Sequence, residues 1–187
     1  VGLRNLDITL GMTDAALMDF SDVMAGRCDL SRAAVPHPTV SGLHLLTAPL
    51  TLPGDFPGEA GFQALLQQAR EAYDYVLIDS PAGLGPGFRL AVCGADRAIV
   101  VAVSDPSSLR DAQRVVTQLS QLETIHLVVN RVRPRLLRRQ NTTIDDAMDT
   151  AGLPLLGLVP EDPKVVLAAT EGRPLAQLGA RRGAVRA

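Results

Sequence analysis

From residue 75 onward, short apolar runs with almost no polar interruption recur along the chain, each followed by a polar or Pro/Gly-rich step. They are Tyr75-Val76-Leu77-Ile78, Ala98-Ile99-Val100-Val101-Ala102-Val103, Ile125-His126-Leu127-Val128-Val129 and Leu155-Leu156-Gly157-Leu158-Val159. Runs of this length without period-two alternation predict parallel strands buried on both faces. Between them the period changes. Phe62, Leu65, Leu66 and Ala69 fall at helical spacing within residues 61–72, as do Leu109, Ala112, Val115, Val116 and Leu119 within 106–122. Residues 142–151 read as a further helix and Leu43-His44-Leu45-Leu46 as an additional strand. Residues 45–61, punctuated by Pro49, Pro53, Gly54, Pro57 and Gly58, predict an irregular connection. Such alternation gives a doubly wound α/β fold, a mostly parallel sheet flanked by helices on both faces.

Composition narrows the function classes. With 187 residues, 47% apolar and 20% charged, the chain suffices for one domain with a core, and disorder is excluded. Eighteen basic against 20 acidic residues give a formal charge of −2, and aromatics are 3% with no Trp. That balance argues against a nucleic-acid partner, since neither a broadly basic surface nor base-stacking platforms are available. Cys28 and Cys93 lie far apart with no metal-ligand spacing, which predicts two half-buried free thiols in a reducing cytoplasm. No apolar run approaches the ~20 residues needed to span a bilayer. Lys164 is the single lysine, so lysine-dependent chemistry has one candidate.

In open α/β sheets, ligands bind beyond the carboxyl ends of the strands. Asp79, closing an apolar run and followed by Ser80-Pro81-Ala82-Gly83, has the Walker B arrangement, in which the carboxylate supports the water shell of a phosphate-bound Mg²⁺. A helix N-cap is the plain alternative for the same residue. Asn130, after the third run, could read a base through its amide or simply occupy a turn. A Gly-rich loop ending Gly-Lys-Ser/Thr should open a domain of this kind, and none occurs in the sequence. Lys164, preceded by Glu161-Asp162-Pro163, cannot make one.

The order and rough spacing of four segments carry a resemblance. Val1-Gly2-Leu3-Arg4-Asn5-Leu6-Asp7-Ile8, Asp79-Ser80-Pro81-Ala82-Gly83, Ser107-Ser108-Leu109-Arg110-Asp111 and Val159-Pro160-Glu161-Asp162 are similar to the septum-site-determining ATPases of the ParA/MinD group, whose phosphate loop is a deviant Walker A. The resemblance covers essentially all of residues 1–187, read as a single nucleotide-binding domain. It implies that about forty residues, holding the first strand, the phosphate loop and the first helix, precede Val1 in a complete member. It also implies that a carboxyl-terminal amphipathic membrane anchor follows residues 179–187, and that this chain alone is inactive.

The resemblance further implies ATP and Mg²⁺ as cofactors and assigns roles residue by residue. Asp79 would act in catalysis as outer-shell support of Mg²⁺. Gly83 would bring backbone near the γ-phosphate, and Asn130, Arg131, Pro160, Glu161 and Asp162 would border the adenine. Arg4, Asn5, Asp7, Arg110 and Asp111 would line the switch and dimer face. Plain alternatives stand beside these: Asp111 pairing with Arg114 on a solvated helix face, and Glu161 with Asp162 supplying negative charge to a helix over 165–170. The implied protein is an ATP-dependent homodimer at the inner face of a bacterial cell membrane. It would bind a division inhibitor and a hydrolysis-stimulating partner of the Min type. Flagellar-number and partitioning ATPases of the same superfamily, or a degenerate non-catalytic binding module, are the competing readings. Arg131, Arg133, Arg135, Arg138 and Arg139 form a basic cluster, either a solvated face or a surface drawn to anionic lipid.

Overall fold

Three of the four apolar runs pair into one parallel sheet. The computed structural model describes residues 5–54, 56–140, 142–178 and 184. The chain divides into two compact units, residues 1–94 with 168–174, and residues 95–167 with 175–187.

In the second unit the strands run in the order β3–β4–β5, with β3 Arg97–Val103, β4 Thr124–Val132 and β5 Leu155–Pro160. β3 pairs with β4 from Arg97↔Thr124 to Val103↔Asn130 without a shift. β4 and β5 pair from Leu127↔Leu155, with irregularities in register between Leu127 and Val128 and between Val129 and Val132. The crossovers are helical, as parallel pairing requires: α6 (Pro106–Gln118) joins β3 to β4, and α8 (Ile144–Ala151) leads into β5. α6 packs on β3 and on α8, burying Val100, Ala102, Leu109, Ala112 and Ala147. Leu127 and Val129 of β4 are wholly buried. The expectation of burial on both faces does not hold for β3, where Ile99 and Val101 stay 55% and 59% exposed. α7 (Pro134–Gln140) carries the middle of the arginine cluster, and α9 (Pro163–Thr170) follows β5.

Caps fix where these helices start. Asp105 accepts from the backbone N–H of Ser107 and Ser108, each at 3.1 Å, ahead of α6. Thr143 and Asp146 form a reciprocal capping box on α8, and Gly152 ends that helix in the left-handed region at φ 69°.

The first unit is helical around one core. α1 (Leu6–Thr9), α2 (Phe20–Met24) and α3 (Leu30–Ala33) precede a two-residue antiparallel pairing of β1 (Val35–Pro36) with β2 (His44–Leu45). The strand expected over 43–46 is thus reduced to His44 and Leu45. α4 (Gly58–Ala72) buries Phe62, Leu65, Leu66 and Ala69, the positions its periodicity marks. Phe62 meets Phe20 edge-on with ring centroids 5.3 Å apart. α5 (Pro86–Val92) adds Leu90, and the last carbonyls beyond it, of Cys93 and Gly94, accept from Gln63 and Arg70 of α4 at 2.6 Å each. Cys28 and Cys93 are half-buried thiols against this core. His37, a buried residue the sequence did not single out, accepts at Nδ1 from the backbone N–H of Thr39 (3.2 Å) and Val40 (3.1 Å). That leaves Nε2 to donate to the Leu10 carbonyl at 3.1 Å.

The run over residues 75–78 is not a strand. Residues 75–78 find no ladder partner among the described residues, and Tyr75 and Leu77 are 87% and 90% exposed. An apolar run becomes a strand only when neighbours on either side take up its N–H and C=O groups, and none does so among the described residues.

Candidate functional site

The ends of β4 and β5 draw five of the expected site residues together. After Val129↔Leu158 the next pair is Val132↔Pro160, so β4 spends one residue more than β5 over this interval. The surplus is a bulge at Asn130–Arg131, and Arg131 takes φ 53°, a left-handed conformation unusual for a side-chain-bearing residue. Both residues therefore lie within β4, not after it. Asn130 Oδ1 accepts from the Arg131 backbone N–H at 2.8 Å, and the Glu161 N–H donates to the Val132 carbonyl at 3.1 Å. Glu161 then gathers two guanidinium groups. Arg131 Nη2 donates to its Oε1 at 3.1 Å, and Arg133 engages both carboxylate oxygens, through Nε and through Nη2 at 2.5 Å. The Arg133 hydrogen bond first, then that of Arg131, hold the Glu161 carboxyl below its ordinary value. Asp162 caps α9, accepting from the Lys164 N–H at 3.0 Å. The charge expected at the start of that helix is thus delivered by Asp162, while Glu161 faces the arginines.

Arg133 is the residue that sequence reasoning passed over. It stood in the basic cluster as one charge among five, and only the pairing of β4 with β5 reveals its carboxylate. Arg133, Arg135, Arg138 and Arg139 line, with Leu136 and Glu161, an open depression of about 620 Å³.

Asp79 and Gly83 belong to the other unit. Asp79 lies exposed at the end of the unpaired run, with no hydrogen-bond or ionic partner among the described residues. It caps no helix, because α5 starts at Pro86 behind Gly85. Gly83 takes φ 86° with open space where a Cβ would point, a backbone state that favours glycine and suits close approach of another group. Asn5 accepts at its carbonyl from the Thr9 N–H at 3.1 Å, at the start of α1, and Asp7 is buried there with Oδ1 accepting from the Ile8 N–H at 2.8 Å. Arg4 lies outside the described residues. On α6, Arg110 is exposed and Asp111 pairs with Arg114 at 3.3 Å, both side chains open to solvent.

The fit to a nucleotide can be tested on these groups. Asn130 commits its amide oxygen to the bulge, and its amide N–H₂ has no partner among the described residues, so it remains able to donate to a ring nitrogen or carbonyl of a base. The Asp79 carboxylate is free to accept from metal-bound water. Both fit.

No family model matches the chain. It is 37% identical over 181 residues to the septum site-determining protein MinD of Bacillus subtilis, an alignment covering 94% of this chain and 68% of that protein. Among solved structures, the MinC:MinD cell division complex of Aquifex aeolicus superposes with a TM-score of 0.88 at 32% identity, over all of this chain and 76% of its counterpart. The Mg-ADP complex of MinD from Pyrococcus horikoshii gives 0.83 at 25% identity, over all of this chain and 76% of the other. The chain spans about two thirds of the length of the curated relatives it matches. Sequence likeness at this level over nearly every residue, on the same α/β fold, places the chain in the MinD family of septum site-determining proteins.

Proposed function

We propose that the intact protein is an ATPase that dimerises on ATP, cycles on and off the inner face of the bacterial membrane, and positions the division septum. The observation that carries this reading is the bulged end of β4 beside β5, where Asn130, Arg131, Pro160, Glu161 and Asp162 converge. They would border the base, with Asn130 as the donor toward it. Asp79 would accept from the water shell of Mg²⁺, and Gly83 would let backbone approach the terminal phosphate. The metal, when bound, neutralises phosphate charge. Asn5, Asp7, Arg110, Asp111 and Arg4 would line the face joining two protomers.

The Pyrococcus relative binds Mg-ADP and the Aquifex relative assembles with MinC. By likeness, the partners here are a second copy of the protein, an inhibitor of the MinC type and a factor that stimulates hydrolysis. In this reading residues 1–187 are one nucleotide-binding domain. The flagellar-number and partitioning readings are less favoured, since the curated relatives that match at 36% and 37% identity are named septum site-determining proteins.

The test is phosphate release by the intact protein, with and without anionic vesicles. We expect ATP-dependent turnover that Asp79→Ala lowers at least tenfold at saturating Mg²⁺. Unchanged kcat in that variant would leave Asp79 without a role in hydrolysis.

A further inference from the structure

The arginine cluster separates into two kinds of residue. Arg135, Arg138 and Arg139 have no carboxylate partner among the described residues. Arg133 is different: it grips Glu161 through two nitrogens, while Arg131 takes a third bond to the same carboxylate. These two arginines flank Val132, whose carbonyl receives the Glu161 N–H. The residue just after β5 therefore ties together Arg131, Val132 and Arg133, in and immediately after the β4 bulge.

The bulge needs a strap. A non-glycine residue at φ 53° is disfavoured and persists where its surroundings hold it. The Asn130 Oδ1 bond to the Arg131 N–H depends on that same turn of the backbone. If Arg131 relaxed into the strand, its N–H would swing away and the Asn130 amide would be free to rotate. Arg133 is outside the set expected to border the base, yet it supplies the bidentate bond that orients Glu161, and Glu161 in turn holds Arg131.

We propose that Arg133 is a positioning residue for base recognition. Through Glu161 it locks the Asn130–Arg131 bulge, and so fixes Asn130 with its amide oxygen engaged and its N–H₂ turned to use as a donor. This rests on the nucleotide reading given above. Arg133 and Glu161 are 53% and 33% exposed. Such a pair adds little to global stability, so its effect falls on the local geometry.

The experiment is titration of the intact protein with N-methylanthraniloyl-labelled ATP and GTP, with steady-state kinetics and thermal unfolding on the same samples. We expect Arg133→Ala to raise Kd for ATP about fivefold and to lower the preference for ATP over GTP, with kcat within about twofold and the unfolding midpoint unchanged. Arg133→Lys, which keeps charge but loses the fork, should fall between. Arg135→Ala, an exposed arginine on the same cluster, should leave both nucleotides unaffected.

An unchanged Kd and preference in Arg133→Ala would overturn the proposal, as would an equal loss in Arg135→Ala, which would reduce the effect to general charge. Two other outcomes strike the nucleotide reading itself: no ATP binding by the unaltered protein, or no effect of Asn130→Ala on Kd.

Discussion

A Cβ atom on Gly11 would sit 1.9 Å from the carbonyl oxygen of Gly172. The turn after α1 and the turn after α9 meet backbone to backbone, and both glycines are left-handed, at φ 66° and 59°. The contact is asymmetric, because a Cβ on Gly172 meets its nearest neighbour, the Gly11 Cα, at 3.1 Å. Gly11→Ala should therefore cost about 3 kcal/mol or more, and Gly172→Ala about 1–2 kcal/mol, the strain of the backbone conformation plus a mild clash. Urea unfolding of the two variants measures the difference, and equal costs would contradict the close approach.

Acid should unfold the protein through its caps. The Ser107 hydroxyl, then the Ser108 N–H, hold the Asp105 carboxyl below its usual range. The Thr143 N–H and hydroxyl do so for Asp146, and the Asp19 N–H with Arg27 for Asp22. A folded value below the unfolded one contributes stability that is complete above the unfolded value of about 3.9 and is lost as pH falls through the folded value. The urea midpoint should stay level from about pH 7 to 5 and fall below about pH 4. Asp105→Asn should flatten that fall. An identical acid slope in the variant would remove Asp105 from the account.

The two faces of the sheet predict opposite sensitivities. Leu127 is wholly buried, and Leu127→Ala should cost about 2–5 kcal/mol. Ile99, an equally apolar residue one strand away, is more than half exposed, and Ile99→Ala should cost less than about 1 kcal/mol. Calorimetry of both variants checks this, and comparable losses would mean that Ile99 is buried in solution.

These 187 residues contain no Gly-Lys-Ser/Thr loop, and Lys164 lies in the first turn of α9. Stabilising charge on a transferred phosphoryl group needs such a loop's amides and lysine. The purified 187-residue chain should therefore release phosphate at the background rate. Turnover that Asp79→Ala abolishes would refute this.

Periodicity located the elements whose partners are also in the chain. α4, α6, β3, β4 and β5 begin and end within a few residues of their sequence signals, because burial of Phe62, Leu109 or Leu127 selects the same face that the spacing marks. Residues 75–78 carry an equally strong signal and form no strand, since hydrophobic pattern expresses a readiness to pair and a ladder takes two sides. At the candidate site, the segment around Asn130 and the Pro160–Asp162 loop were legible from their places after apolar runs. The pairing of Arg133 with Glu161 was not, because it joins residues brought together by the β4–β5 pairing and a one-residue bulge that no local pattern announces. Asp111 shows the reverse: the ordinary helix-surface pair with Arg114 was the plainer reading, and it is present.

The half-open faces of β3 and residues 75–78 bear on how the 187-residue chain behaves in a tube. Ile99, Val101, Tyr75 and Leu77 offer water a set of apolar side chains, and the last two sit on a backbone segment with no ladder partner among the described residues. Two such chains can satisfy each other's backbone and apolar surface at once, which is the chemistry of strand addition and precipitation. Isolated preparations should thus lose solubility with rising concentration and with salt that screens the small net charge. A sharply concentration-dependent scattering signal is the form this would take, and replacing Leu77 with a lysine should delay its onset.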